Sequence, residues 1–225
     1  MSHQSSKVTT VLFDLDGTLI DSIPDITAAL NQMRKIYHLE PVKQETVKNI
    51  VGKGFPTTVK KVLSLDLPSN EVDKIFADAY QHTLDAYTTC MGKYTAIFPG
   101  VIETIKSLHN LNIKMAIVTN KEETHAKETV KHTGINKYID LIIGGNTTTH
   151  YKPHPEPLYY AMKKLGSTPL ETIIVGDSES DISAAKSASV RSVAVTYGYN
   201  HGKPISQSQP NEIINNISEL LHLFG

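Results

Sequence analysis

Five runs of aliphatic and β-branched residues, each six or seven residues long at most, constrain the fold of this chain more than any other feature. They are Val8–Phe13, Ile113–Thr119, Leu141–Ile143, Thr172–Gly176 and Val190–Val195. All are too short for a buried helix, and most are too continuously apolar for strands with one wet face. Strands of this kind belong in a parallel sheet covered on both faces, and parallel neighbours need right-handed crossovers. The segments between them carry helical signals that supply those crossovers. Helices are predicted over Val101–Asn110, Glu122–Thr133 with Gly134 as terminator, Glu156–Leu165 ending at Gly166, and Ser178–Ala188. The alternation predicts an α/β fold with a doubly wound parallel sheet. A last helix, about Asn211 to Leu223, is expected to close the core.

The stretch from Asp21 to Cys90 breaks the alternation. It shows no convincing strand, while Ile23, Ile26, Leu30, Met33 and Tyr37 share one helical face. Val72, Ile75, Phe76, Ala79 and Tyr80 share another after Ser69, the expected N-cap, and Val59, Val62 and Leu63 suggest a further helix. About 70 residues are too many for an ordinary connection and read as an inserted helical cap. The expected division is a core of residues 1–17 and 94–225 and a cap of 18–93.

In an open parallel sheet, ligands bind beyond the carboxyl ends of the strands. Asp14, Asp16 and Gly17 follow the first run, Thr119 and Asn120 the second, Lys152 the third, and Asp177 with Asp181 the fourth. Carboxylates converging from different strands cannot all stay ionised without a neutralising ion, and Mg²⁺ prefers such hard oxygen ligands. With that ion and Lys152 cancelling charge, Asp14 is able to attack phosphorus. Asp16, two residues on, can protonate the leaving oxygen and later activate water. Gly17 lets the turn bring backbone N–H groups close to phosphoryl oxygens, and Thr119 can donate its hydroxyl. Each feature has a plainer reading: Asp-Gly is a favoured turn pair, Lys152 a solvated lysine, and Asp181 an acceptor near a helix start. The combination of roles is what favours a phosphoryl-transfer site.

Asp14-Leu15-Asp16-Gly17-Thr18-Leu19, Val118-Thr119-Asn120, Lys152-Pro153 and Gly176-Asp177-Ser178-Glu179-Ser180-Asp181 resemble, in order and strand context, the four motifs of the haloacid dehalogenase-like hydrolases. The resemblance implies a Rossmann-like core with a helical C1-type cap. It implies Asp14 as nucleophile, Asp16 as general acid/base, and Thr119, Asn120 and Lys152 as phosphoryl binders. The implied Mg²⁺ ligands are Asp14, Asp177 and the main-chain carbonyl of Asp16, with Asp181 and Gly17 supporting. Asp21-Ser22-Ile23-Pro24-Asp25-Ile26, Val51-Gly52-Lys53-Gly54, Thr119-Asn120-Lys121, Lys152–Pro157 and Tyr197-Gly198-Tyr199 are similar to the phosphoglycolate phosphatase branch. Ile50, Lys53 and Ser189 depart from that branch's usual residues.

Val51-Gly52-Lys53-Gly54 lacks the G-x-x-x-x-G-K-[ST] pattern of a phosphate loop. It reads either as a cap loop in which Lys53 meets a substrate carboxylate or as a plain helix connection. The expected reaction is Mg²⁺-dependent hydrolysis of a small phosphorylated metabolite, 2-phosphoglycolate being favoured by resemblance. An inorganic pyrophosphatase, a β-phosphoglucomutase-like mutase and, from a different class, a phospho-accepting signalling module are the rivals. The formal charge of −1 gives no bulk attraction to nucleic acid or to an anionic membrane. The single cysteine, Cys90, cannot form an internal disulfide, and the polar first seven residues carry no apolar signal. A cytoplasmic setting is expected, with oligomeric state left open.

Overall fold

The computed structural model describes residues 7–224. In chain order the elements are β1 (Thr10–Phe13), β2 (Ile20–Asp21), α1 (Ile23–Ile36), α2 (Gln44–Lys48), α3 (Gly54–Leu63), α4 (Ser69–Cys90), β3 (Ala96–Ile97), α5 (Val101–Asn110), β4 (Lys114–Val118), α6 (Glu123–Thr133), β5 (Leu141–Ile143), α7 (Glu156–Leu165), β6 (Thr172–Gly176), α8 (Glu179–Ala188), β7 (Arg191–Val195) and β8 (Glu212–Ile214). The main sheet has six parallel strands in the order β5-β4-β1-β6-β7-β8. β1 lies at its centre, with Phe13 in register with Ile117 on one side and Val175 on the other. The strand order turns back there, which puts the ligand crevice beyond the carboxyl end of β1.

Alternation along β1 divides the core between two layers. Val11 and Phe13 pack with Ile105 and Leu108 of α5 and Val130 of α6. Leu12 points the other way, toward Leu158 of α7 and Ala184 and Ala185 of α8. Both faces are therefore covered, as expected of a doubly wound sheet with continuously apolar strands.

The cap is built from α1 to α4. Ile26, Leu30 and Met33 of α1 pack with Val59 and Val62 of α3 and Val72, Ala79 and Tyr87 of α4. Two buried charges tie it together. Arg34 donates to the carbonyls of Glu40 (2.6 Å) and Val62 (2.8 Å) and to the Asp66 carboxylate (2.6 Å). Asp25, fully buried, accepts from the backbone N–H groups of Gly92 (2.8 Å), Tyr94 (2.9 Å) and Thr95 (3.2 Å), pinning the start of α1 to the chain that returns from α4.

Three features differ from the sequence expectation. The stretch after Asn211 is not one helix but β8 followed by a 3₁₀ turn over Ile217–Leu223. The Asn211 carboxamide oxygen accepts from the Ser192 N–H (2.8 Å), docking β8 beside β7, and Asn216 caps the turn through the Ser218 N–H (2.9 Å). Side-chain bonds of this kind compete with helical ones. The α4 N-cap is Pro68, whose carbonyl accepts from Glu71 and Val72; Ser69 is already helical. The cap's two crossings also pair as an antiparallel ladder, Ile20 with Ile97 and Asp21 with Ala96. Among the described residues no helix is long and apolar enough to cross a membrane.

Candidate active site

Of the residues singled out at the strand ends, Asp14, Asp16, Thr119, Asn120, Lys152 and Asp177 line one cleft between core and cap, with Gly17 and Asp181 directly behind them. Asp14 continues the β1 pairing through its N–H to the Val175 carbonyl (2.9 Å), so its side chain leaves the sheet at the crevice. The chain then turns sharply, with the N–H groups of Leu19 and Ile20 both bonded to the Leu15 carbonyl. Gly17 has φ +95°, and a Cβ there would lie 2.3 Å from Asp177 Oδ2. Only glycine permits this turn and this approach together.

Lys152 Nζ lies 2.9 Å from Asp14 Oδ1 and 2.6 Å from Asp181 Oδ1, with only 2% of its side chain exposed. Burial opposes its charge, but the two carboxylates outweigh that and raise its pKa. Asp177, at the end of β6, accepts from Thr18 Oγ1 (2.9 Å) and the Tyr199 N–H (2.6 Å). Asp181 also takes the Ser178 N–H (3.1 Å) and hydroxyl (2.7 Å), forming the capping box of α8. Asp181 thus serves the helix start and contacts Lys152 at the same time.

Oxygens of Asp14, Asp177 and Asp181 lie within 4.8 Å of one another. Burial pushes Asp14 up to about 7, Lys152 opposing and Asp181 adding to the shift. Burial and the neighbouring Asp14 and Asp181 raise Asp177 as well. With Asp16, four carboxylates face two lysines among the described residues, Lys121 and Lys152, so full ionisation would leave two negative charges uncancelled beside hard oxygen donors. The donor set fits one divalent cation.

Thr119 follows β4, buried and lining the cleft. The Asn120 amide nitrogen donates to the carbonyls of Lys152 (2.8 Å) and Gly52 (3.2 Å), bracing the lysine loop and the cap loop. Those bonds take both its N–H groups, leaving its carboxamide oxygen buried and without a partner among the described residues. Lys53 is exposed at the start of α3 and does not line the cleft, although its neighbours Gly52 and Gly54 do.

Two contributors were not singled out from sequence. Lys121 Nζ lies 2.8 Å from Asp16 Oδ1, with 3% of its side chain exposed. It also sits 5.1 Å from the centroid of the Tyr87 ring, which α4 of the cap supplies. Burial works against its charge, but Asp16 raises its pKa. Tyr199 holds Asp177 through its N–H and bonds Asp21 through its hydroxyl (2.5 Å), linking site and cap crossing. A Cβ at Gly198 would lie 2.1 Å from the Asp177 Cβ, so the glycine between Tyr197 and Tyr199 lets this loop close on the acid. Both fall within tripeptides quoted for the branch resemblance, Thr119-Asn120-Lys121 and Tyr197-Gly198-Tyr199, but neither takes a role of its own from the sequence.

Residues 11–195 match the family model described as haloacid dehalogenase-like hydrolase. The chain belongs to this family. Among curated relatives of this hydrolase, the phosphoglycolate phosphatase of Pseudomonas fluorescens (strain Pf0-1) is 38% identical, covering 94% of this chain and 78% of that one. The phosphoglycolate phosphatase of Vibrio vulnificus (strain YJ016) is 36% identical, covering 98% of this chain and 97% of the relative. A solved structure from Haemophilus somnus 129pt, described as a predicted phosphoglycolate phosphatase, superposes with a TM-score of 0.89 at 31% identity, over 97% of this chain and 98% of that one. The α/β core and helical cap of this hydrolase are therefore those of its relatives.

Proposed function

We propose that the chain is a Mg²⁺-dependent phosphatase that hydrolyses a small phosphate monoester, with 2-phosphoglycolate as favoured substrate and glycolate and phosphate as products. The observation that carries this reading is Asp14 at the end of the central strand, with Lys152 Nζ 2.9 Å from one oxygen and the Asp177 carboxylate close by. The likeness to relatives named phosphoglycolate phosphatase favours the substrate. Asp14, Asp177 and the Asp16 carbonyl would hold the ion. When bound, Mg²⁺ supplies positive charge that lessens repulsion between a carboxylate and a phosphate dianion.

In this reading a carboxylate oxygen of Asp14 attacks phosphorus while the ester P–O bond breaks, leaving an aspartyl-phosphate. Asp16 gives its proton to the departing alkoxide. It then takes a proton from water as that water attacks the same phosphorus, releasing phosphate and restoring the Asp14 carboxylate. Lys152 and Thr119 direct donors at the phosphoryl oxygens, and Asp181 holds Lys152 in place. Residues 18–93 act as a cap that admits substrate and excludes bulk water during the chemistry.

The test is a phosphate-release screen over small monoesters, inorganic pyrophosphate and a β-hexose phosphate, with Mg²⁺ or with EDTA, and with Asp14→Asn in parallel. Expected are many turnovers on 2-phosphoglycolate, loss in EDTA, and a fall of about 10³-fold or more in Asp14→Asn with the fold intact. Undiminished turnover in that variant removes the nucleophile assignment. Isomer without free phosphate favours a mutase, and a single stoichiometric phosphorylation favours a phospho-accepting module.

A further inference from the structure

The cleft contains two buried ammonium groups in unlike surroundings. Lys152 Nζ is shared between two carboxylates, Asp14 and Asp181. Lys121 Nζ has one, Asp16 at 2.8 Å, and otherwise faces the ring of Tyr87. An ammonium carries three N–H donors. Among the described residues Lys121 spends one of them on a hydrogen bond, yet the side chain is 3% exposed and lines the cleft. A cation so desolvated gains from a second anion.

Among the described residues no other lysine or arginine in the cleft competes for that role, since Lys121 and Lys152 are the only ones that line it. Lys53 is exposed outside it, and His201 has its Nδ1 taken up 3.1 Å from the Asn49 carbonyl. The cap side contributes the apolar Ile26, Val51 and Phe55 and the hydroxyl of Thr58, which donates to the Gly54 carbonyl (3.1 Å). Asp14 and Asp16 lie two residues apart on one turn, and each contacts a different lysine. A ligand spanning the two lysines is therefore short.

We propose that Lys121 is a carboxylate-binding subsite, selecting phosphate monoesters whose carboxylate lies within a few bonds of the ester oxygen. This deepens the phosphatase reading and rests on it for the position of the phosphoryl group. The substrate carboxylate accepts the free N–H donors of Lys121 while Lys152 faces the phosphate. The competing role is purely internal, with Lys121 neutralising Asp16 and nothing more.

The two roles separate when substrates with and without the second anion are compared. For wild type, Lys121→Met and Lys121→Arg, kcat and KM are measured on 2-phosphoglycolate and on ethyl phosphate, which differs by lacking the carboxylate. A charge-assisted bond lost only on the first substrate should lower the ratio of the two kcat/KM values by about tenfold or more in Lys121→Met. Most of that change should appear in KM, and Lys121→Arg should recover part of it. A ratio unchanged within about twofold overturns the subsite, because an effect exerted through Asp16 falls on both esters. Equal efficiency of the wild type on both esters overturns it too, while leaving the phosphatase reading intact. Calorimetric binding of 2-phosphoglycolate to EDTA-treated wild type and Lys121→Met, in which turnover is suppressed, decides the matter independently of catalysis. Tenfold weaker binding in the variant upholds the subsite even if no ester is hydrolysed, an outcome that removes the phosphatase reading alone. Equal binding overturns the subsite. Should Lys121→Met fail to fold by circular dichroism, Lys121→Gln takes its place in the same comparisons.

Discussion

Asp14 and Asp16 share one turn but not one environment. Asp14 bonds Lys152, whereas Asp16 bonds Lys121 and the Ser22 hydroxyl and keeps 21% of its side chain exposed. A nucleophile needs a fixed position, and a proton carrier needs access to the leaving group and to water. The split suits those two duties. Asp16→Asn is expected to lower kcat by about 10²–10⁴-fold on an alkyl phosphate, and much less on p-nitrophenyl phosphate, whose leaving phenolate needs no proton. Steady-state kinetics on the two esters check this; equal losses would remove Asp16 from the leaving-group step. Lys121 stood in a quoted motif, Thr119-Asn120-Lys121, but was given no role from the sequence, for a related reason. A lone lysine after a strand end is most often solvated, and what buries it here is Tyr87, 34 positions earlier in the chain and on a cap helix. Asp14, Asp177 and Lys152 were legible because each follows an apolar run, and the sheet alone brings such positions together.

At the scale of elements, Asp25 shows how the cap is fastened. Its carboxylate gathers the N–H groups of Gly92, Tyr94 and Thr95 and the Thr95 hydroxyl, all in the segment after α4. Asp25→Ala leaves several of these donors buried without an acceptor, and is expected to cost about 3 kcal/mol in a urea titration. Asn should restore part of that loss, since it keeps one acceptor oxygen. Element by element, legibility followed length and periodicity. β5, β6, α5 and α7 span the residues expected of them, because terminators such as Gly166 bound clear patterns. β8, α2 and the β2–β3 ladder were not read, being two to five residues long and defined by partners distant in the chain. The expected terminal helix failed because Ile213, Ile214, Ile217, Leu220 and Leu221 imitate a helical stripe, whereas Asn211 and Asn216 divert the backbone.

For the whole molecule, the crowded carboxylates link stability to pH and to metal. Burial pushes Asp14 up to about 7 from an ordinary 3.8, and Asp177 also shifts upward. Between those two pH values the metal-free native state binds more protons than the unfolded chain. Its stability contribution from Asp14 is therefore full below about pH 4 and is lost as pH rises through 7. EDTA-treated protein is expected to lose several degrees of Tm between pH 5 and 7.5 from these groups, with a shallower slope in Asp14→Asn. Added Mg²⁺ should raise Tm more at pH 7.5 than at pH 5, because ligation favours ionised carboxylates. Thermal scans of both proteins across that range check the sign.

The ladder of β2 and β3 carries a longer consequence. Its two residue pairs zip the outgoing and returning chains side by side, and Ile20 also bridges to Asp16. Everything between the two strands hangs from one narrow stem, while the acids, Lys152 and the sheet stand on the other side of it. A stem this slim lets the roof be rebuilt without disturbing the register of the sheet, provided that the new roof again shelters Lys121 and meets Asn120, as Tyr87 and Gly52 do here.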